Sequence, residues 1–246
     1  MIALIAATPQ ECPELRAALR PAALPGGYGL FRGRLAGQAV ELAVCGLGKA
    51  NAAAATALLL AQARPRLVIS FGCGGAFPGT GLKPGDLALA TAERYGDEGV
   101  ETPEGFLDLR ALGFALVRTG ARDIFDTLPV DPSWLSQARA AVAATAARRG
   151  RAWREGVFTT VSTCSGSDRH SARIQARTGA LCETMEGAAV AQVCAAFDLP
   201  FLNIRGISNP TGDRDRAAWD LPGACAAAEE AVSALLAGLP AEDSSP

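Results

Sequence analysis

Residues 179–209 read as a strand, a turn, a helix and a second strand: GALCETMEGAAVAQVCAAFDLPFLNIRGISN. The flanking runs are apolar without alternation, as in strands covered on both faces, and the run between them suits a buried helix. Such a unit needs a sheet with helices on both sides. Polar residues interrupt it at a few places. Glu183 and Glu186 stand where the first strand gives way to the helix, with Met185, the one methionine after Met1, between them. The second strand carries Arg205 and ends on Ser208 and Asn209. Ligands of open α/β sheets gather at the carboxyl ends of strands, so these residues are expected to face one crevice. Each has a plainer reading alone: an acid on a helix dipole, or a Ser-Asn-Pro turn. Their convergence favours a site.

The remaining pattern agrees with that class. Residues 2–7 suit a buried strand, and Thr8-Pro9 suits the cap and first position of a helix whose first turn holds Glu11. Residues 29–35 and 38–45 read as a hairpin turning at Ala36-Gly37. Further strands are expected at 67–71, 87–92 and 157–162, and helices after Gly46, at 132–149, 168–177 and 224–239. The expected fold is α/β, a three-layer αβα with a mixed, mostly parallel central sheet, formed by a single domain over residues 1–246. Residues 240–246, AEDSSP after Pro240, read as a disordered tail, and the acidic, turn-rich run from Arg94 to about Phe125 has no assignable pattern.

Composition narrows the function. A net charge of −2 gives no electrostatic reason for a nucleic acid or an anionic membrane as partner. Seven dispersed cysteines without a C-x-x-C pair suit buried thiols in a reducing, cytoplasmic setting. The start MIALIAATPQE lacks the pattern of a signal peptide, and no apolar run approaches the length of a membrane span. His170 is the only histidine and lies in a polar stretch, which excludes a histidine-rich zinc site and leaves acid–base work mainly to carboxylates, or to hydrogen bonds alone. The run GCGGAFPGTGLKPGDL has neither G-x-G-x-x-G at the start of a helix nor G-K-[ST], so its glycines serve close approach of the main chain and not a dinucleotide or a P-loop phosphate.

IAATPQE, GLGKANAA, SFGCGGA with LKPGDL, ERYGDEGVE, ETMEGAAVAQVC and PFLNIRGISN occur in that order over most of the chain. As an ordered set they resemble the nucleoside phosphorylase and nucleosidase superfamily, and within it the methylthioadenosine/S-adenosylhomocysteine nucleosidases and their relative futalosine hydrolase. The resemblance implies that Glu11 activates the attacking water and that Met185 and Glu186 hold the ribose. It implies that Cys73 and Gly74 run beside sugar and base, that Leu47 is an apolar contact near the ribose, and that Arg205 and Ser208 support the base site. Asn209 falls where the adenine-cleaving members carry an aspartic acid that protonates N7. An amide there can donate to N7 or O6 and accept from N1–H, which suits hypoxanthine, the base of futalosine.

The resemblance thus implies hydrolysis of futalosine with release of hypoxanthine, in menaquinone biosynthesis, by a homodimer or higher homo-oligomer. No metal or organic cofactor is expected. Phosphorylases of the superfamily hold phosphate with arginines, one before the glycine run and one near the N-terminus. Here Ser70-Phe71 and Glu11 stand instead, and a carboxylate repels phosphate. The alternatives are an adenine-specific nucleosidase, a phosphorylase, and a nucleoside-binding module without catalysis. Arg94, Arg110 and Arg169 remain open as anchors for the benzoate end of futalosine.

Overall fold

The computed structural model describes residues 1–119 and 123–240. The expected tail lies outside them beyond Pro240. The strands are β1 (Ile2–Ala6), β2 (Arg20–Ala23), β3 (Gly29–Leu35), β4 (Gln38–Val44), β5 (Leu67–Ala76), β6 (Leu87–Tyr95), β7 (Gly99–Thr102), β8 (Gly105–Asp108), β9 (Val117–Arg118), β10 (Asp123–Ile124), β11 (Thr127–Pro129), β12 (Trp153–Thr160), β13 (Cys182–Thr184) and β14 (Phe201–Pro210). The helices are α1 (Pro13–Ala17), α2 (Lys49–Gln62), α3 (Pro132–Arg148), α4 (Asp168–Thr178), α5 (Gly187–Ala196) and α6 (Leu221–Gly238).

The central sheet runs β11-β6-β12-β13-β5-β1-β4-β3-β2, and β14 pairs with both β5 and β6. It is mixed, as expected for this α/β chain. Parallel pairings join β4, β1, β5 and β14 and again β6, β12 and β13, whereas the β2–β3–β4 edge and β11 are antiparallel. Helices α3 and α6 pack on each other and against β14 and β6, while α2 and α5 form a second packed pair. The core is built from fully buried strand residues such as Leu4, Ile69, Leu89, Phe158 and Ile204, together with the alanine-rich faces of α5 and α6. Small residues let these helices lie close to the sheet.

Strand β13 pairs antiparallel with the end of β5 (Cys182 with Ala76, Glu183 with Gly75), and β14 pairs antiparallel with the start of β6. The five strands β5, β14, β6, β12 and β13 therefore close into a ring. The closure folds the carboxyl ends of β5, β13 and β14 toward one another.

Several elements differ from the expectation. Thr8-Pro9 opens a 3-10 turn over Pro9–Glu11 and not an α-helix, because Pro13 has no N–H to continue the ladder; α1 restarts at Pro13 as its first position. Strand β5 runs through the glycines to Ala76, and β14 runs to Pro210 with an irregularity between Ile207 and Asn209. Strand β2 adds to the hairpin at the sheet edge, the position where Pro21 is tolerated. The acidic excursion forms the β7–β8 hairpin and the short β9–β10 ribbon, then returns as β11 on the edge of β6. Among the described residues no helix is long and apolar enough to cross a membrane.

Candidate active site

Glu11 lies in the turn that follows β1, and the turn is wound around its carboxylate. The Ala7 and Thr8 N–H groups donate to Oε2 at 2.9 Å each, and the Cys73 N–H donates to Oε1 at 3.0 Å. A side chain at Gly72 would overlap this carboxylate, so the glycine before Cys73 is what allows β5 to come so close. Likewise a Cβ at Gly74 would run into the Cys182 sulfur of β13. The close approach expected of the glycine run is thus to a carboxylate and to a neighbouring strand.

Glu186 stands at the N-terminal boundary of α5, across the cavity, with its side chain turned away from the helix. Its Oε1 accepts the Gly48 N–H at 2.9 Å, which ties the glycine turn before α2 to the head of α5. Burial raises its pKa, partly opposed by Arg205 and by the Gly48 bond. Glu183 accepts the Ser165 N–H at 2.9 Å and the Ser165 hydroxyl at 2.6 Å, and burial raises its pKa as well. Asn209 stands at the end of β14 with its amide partly committed: Ser208 Oγ lies 2.7 Å from Oδ1, and Nδ2 donates to the Pro210 carbonyl at 2.9 Å.

These groups surround a cavity of about 320 Å³, within the range of small-molecule sites. Glu11, Leu47, Cys73, Gly74, Met185, Glu186, Ser208 and Asn209 all line it. Leu47 is 61% exposed and stands on its rim. Arg205 is the exception among the candidate residues. It is 1% exposed and does not line the cavity. Its Nε donates to Asn203 Oδ1 at 2.9 Å, Nη2 to Ser70 Oγ at 2.9 Å and Nη1 to the Cys73 carbonyl at 3.3 Å. Nη1 is also 3.8 Å from Glu11 Oε1. The inward-facing β14 position puts it beneath the floor, beside Glu11, so any support it gives the base site passes through the strand ends and not through the cavity wall.

The arginines left open for the far end of a substrate also sort themselves. Arg94 and Arg110 both pair with Asp126, at 3.1 and 2.8 Å, and Arg94 and Asp126 line a separate cleft beside the excursion. Arg169 is exposed on α4 and does not line the cavity. Residues that sequence reasoning passed over contribute instead. Ser165 follows β12 in the small-residue turn TCSGS, and Arg214 and Trp219 belong to the polar loop between β14 and α6. Arg214 stacks on the Trp219 ring, 4.7 Å from its centroid. A tryptophan within so polar a loop was the trace they left in the sequence.

Cys73 and Cys164 line the cavity but are poor nucleophiles. The hydrogen bond to Cys225 and then burial raise the Cys73 thiol, and burial pushes Cys164 up to about 11, so both stay protonated near neutral pH. Among the described residues no three His, Cys, Asp or Glu side chains are grouped to hold a metal ion. What the arrangement offers is three carboxylates, Glu11, Glu183 and Glu186, the first held by three backbone donors, and the Asn209 amide on the same cavity. That set suits general-base activation of water and recognition of a hydroxylated, heterocyclic ligand.

The profile of the phosphorylase superfamily matches residues 1–239, and the chain belongs to that superfamily. A futalosine hydrolase from Streptomyces coelicolor is 41% identical to it over 201 residues, 79% of this chain and 77% of the relative. A second futalosine hydrolase, from Thermus thermophilus, is 34% identical over 192 residues, 78% of this chain and 79% of its own. Among solved structures, a 5'-methylthioadenosine/S-adenosylhomocysteine nucleosidase from Neisseria meningitidis, in complex with methylthio-immucillin-A, superposes with a TM-score of 0.82. It is 27% identical, and the match covers 97% of this chain and 99% of that one.

Proposed function

We propose that the protein is a single-domain nucleosidase that hydrolyses the N-glycosidic bond of futalosine and releases hypoxanthine, acting in the cytoplasm within menaquinone biosynthesis and without a metal. The observation that carries the reaction type is the caged Glu11 carboxylate on the cavity wall, with Arg205 held beneath the floor. A phosphate dianion entering here would meet Glu11 and Glu186, whereas a water molecule can give Glu11 its proton. Glu186 would bond the ribose hydroxyls, and this bond strengthens as positive charge develops on the sugar. Asn209 would hold the departing base. The futalosine hydrolases among the relatives support the choice of substrate, and the family likeness supports a homo-oligomer. Turnover is expected to be independent of inorganic phosphate and to yield a free sugar. A sugar 1-phosphate that rises with added phosphate would move the protein to the phosphorylases.

Arg214 is the cation on the cavity wall, at the exposed mouth, with an indole beside it. An aromatic carboxylate suits that pair, the ring packing on Trp219 and the carboxylate on the guanidinium. Arg214→Ala should lower kcat/KM for futalosine by about 10–100-fold, the worth of a charge-assisted hydrogen bond. Inosine has the same base and no carboxylate, so it should be cleaved as before. An equal loss on both nucleosides would mean that Arg214 contacts the base and not the carboxylate.

A further inference from the structure

Among the described residues six acids are buried (Glu11, Asp86, Glu93, Glu183, Glu186 and Glu229) against one buried cation, Arg205. Five of the acids have a cap, a turn or a cavity wall to account for them. Glu93 has none of these. It is fully buried near the end of β6, inside the closed ring, and does not line the cavity. An isolated buried carboxylate is costly and persists only where partners compensate it.

Its partners lead to the site. Asn203 Nδ2 donates to Glu93 Oε1 at 2.6 Å, and Asn203 Oδ1 accepts from Arg205 Nε at 2.9 Å. Asn203 is therefore a two-sided adaptor between an acid and a cation, and the cation stands 3.8 Å from Glu11. On its other side, Thr160 Oγ1 lies 3.4 Å from Glu93 Oε2 and accepts the Ala188 N–H of α5 at 2.7 Å. A Cβ at Gly187 would strike both the Glu93 carboxylate and Asn203, so a glycine opens α5 where this chain passes beneath it. The positive end of α5 thus lies over Glu93 and favours its charged form.

We propose that Glu93 is a positioning residue for the reaction: through Asn203 it fixes Arg205 beneath Glu11, and its negative charge offsets the cation so that the cavity floor stays negative where the sugar becomes positive. This rests on the hydrolase reading. Counted as carboxylates, Glu11, Glu183, Glu186 and Glu93 outweigh Arg205 by three charges; with Glu93 protonated the excess is two. Burial pushes the Glu93 carboxyl up to about 7, against the opposing pull of Asn203, Arg205 and Thr160. The charged and titratable groups around it are Arg205 on β14, Cys182 on β13, Glu186 at the head of α5 and Tyr95 on its own strand. Its charge therefore changes near neutrality without any contact with substrate.

Glu93→Gln keeps the shape, since the amide oxygen still accepts from Asn203 and its nitrogen can donate to Thr160. The test is kcat and KM for futalosine from pH 5.5 to 8.5, with thermal melting of each variant. Wild-type kcat should rise through an arm near pH 7. In Glu93→Gln, kcat should fall about tenfold, the effect of one charge at this range, with KM little changed and the arm gone. Thr160→Val removes the hydroxyl beside Glu93 and leaves Arg205 untouched; it should move the arm to higher pH with the plateau preserved. Melting should run the opposite way to activity. A carboxyl whose folded pKa is raised stabilises the fold at low pH and loses that contribution as pH rises through about 7. Glu93→Gln should therefore gain more melting temperature relative to wild type at pH 8 than at pH 5.5, since the loss begins at the ordinary carboxyl range and is complete above about 7. A wild type that cleaves no nucleoside sinks the hydrolase reading. A competent wild type whose arm and kcat survive in Glu93→Gln, or whose arm stays in place in Thr160→Val, overturns the role of Glu93 alone.

Discussion

Glu11→Gln is expected to lower kcat on futalosine by about 10²–10⁴, the usual worth of a positioned general base, while substrate still binds. Three backbone N–H groups converge on the two carboxylate oxygens, from Ala7 and Thr8 on one side and Cys73 on the other. An amide can satisfy only one side, and it loses least by turning its nitrogen toward Cys73. The mismatch costs about 1–3 kcal/mol of stability, which should appear as lower melting temperature without loss of fold. The volume of the cavity and the Glu186 and Asn209 side chains are untouched, so binding of hypoxanthine, measured at equilibrium, should change little. A variant that retains near wild-type kcat would make Glu11 a structural cap of the Thr8 turn, and the water-activation role would be lost.

The contrast between Glu11 and Arg205 shows how far the sequence could be read. Glu11 was legible because its surroundings are local: the strand before it, Thr8-Pro9 and the turn all lie within a few residues. Met185, Glu186 and Asn209 were legible for the same reason, as polar residues at the ends of apolar runs. The role of Arg205 depends on Asn203, Ser70, Cys73 and Glu93, which come from three strands. No periodicity in one strand shows which of its inward residues face a cavity and which lie under it. The ring closure was equally hidden. It rests on two pairs between β13 and β5 and three between β14 and β6, contacts set by the bend of the whole sheet. The glycines of β5 marked close approach; what approaches them was a matter of tertiary structure. Arg214 and Trp219 sit in a loop, where composition says little about direction.

Discrimination between bases should be the largest effect of all. Wild type is expected to cleave futalosine at least ~10⁴ better than methylthioadenosine in kcat/KM, as sites do when their polar groups must pair with the substrate. The geometry around Asn209 gives the reason. The Ser208 hydroxyl has one proton, and 2.7 Å to Asn209 Oδ1 against 3.2 Å to the Gly74 carbonyl favours the amide as acceptor. That bond fixes which end of the amide is oxygen. Nδ2 has two hydrogens and gives one to the Pro210 carbonyl, leaving the second for a purine acceptor. Hypoxanthine offers O6 and N7; adenine offers N7 but places an amine where O6 would be. An aspartate at this position would set a carboxylate oxygen against the Pro210 carbonyl and would donate only when protonated. Asn209→Asp should therefore lose activity on futalosine and gain at most a trace on methylthioadenosine, while Asn209→Ala should lower turnover on both. Values of kcat/KM for the two nucleosides across wild type and both variants decide the matter. If wild type prefers methylthioadenosine, or if Asn209→Ala leaves the preference unaltered, the base is read elsewhere on the wall. Ser165, Thr184, Ser208, Arg214 and Trp219 are then the remaining polar side chains of that wall outside the acids, and the substrate must be sought again from them.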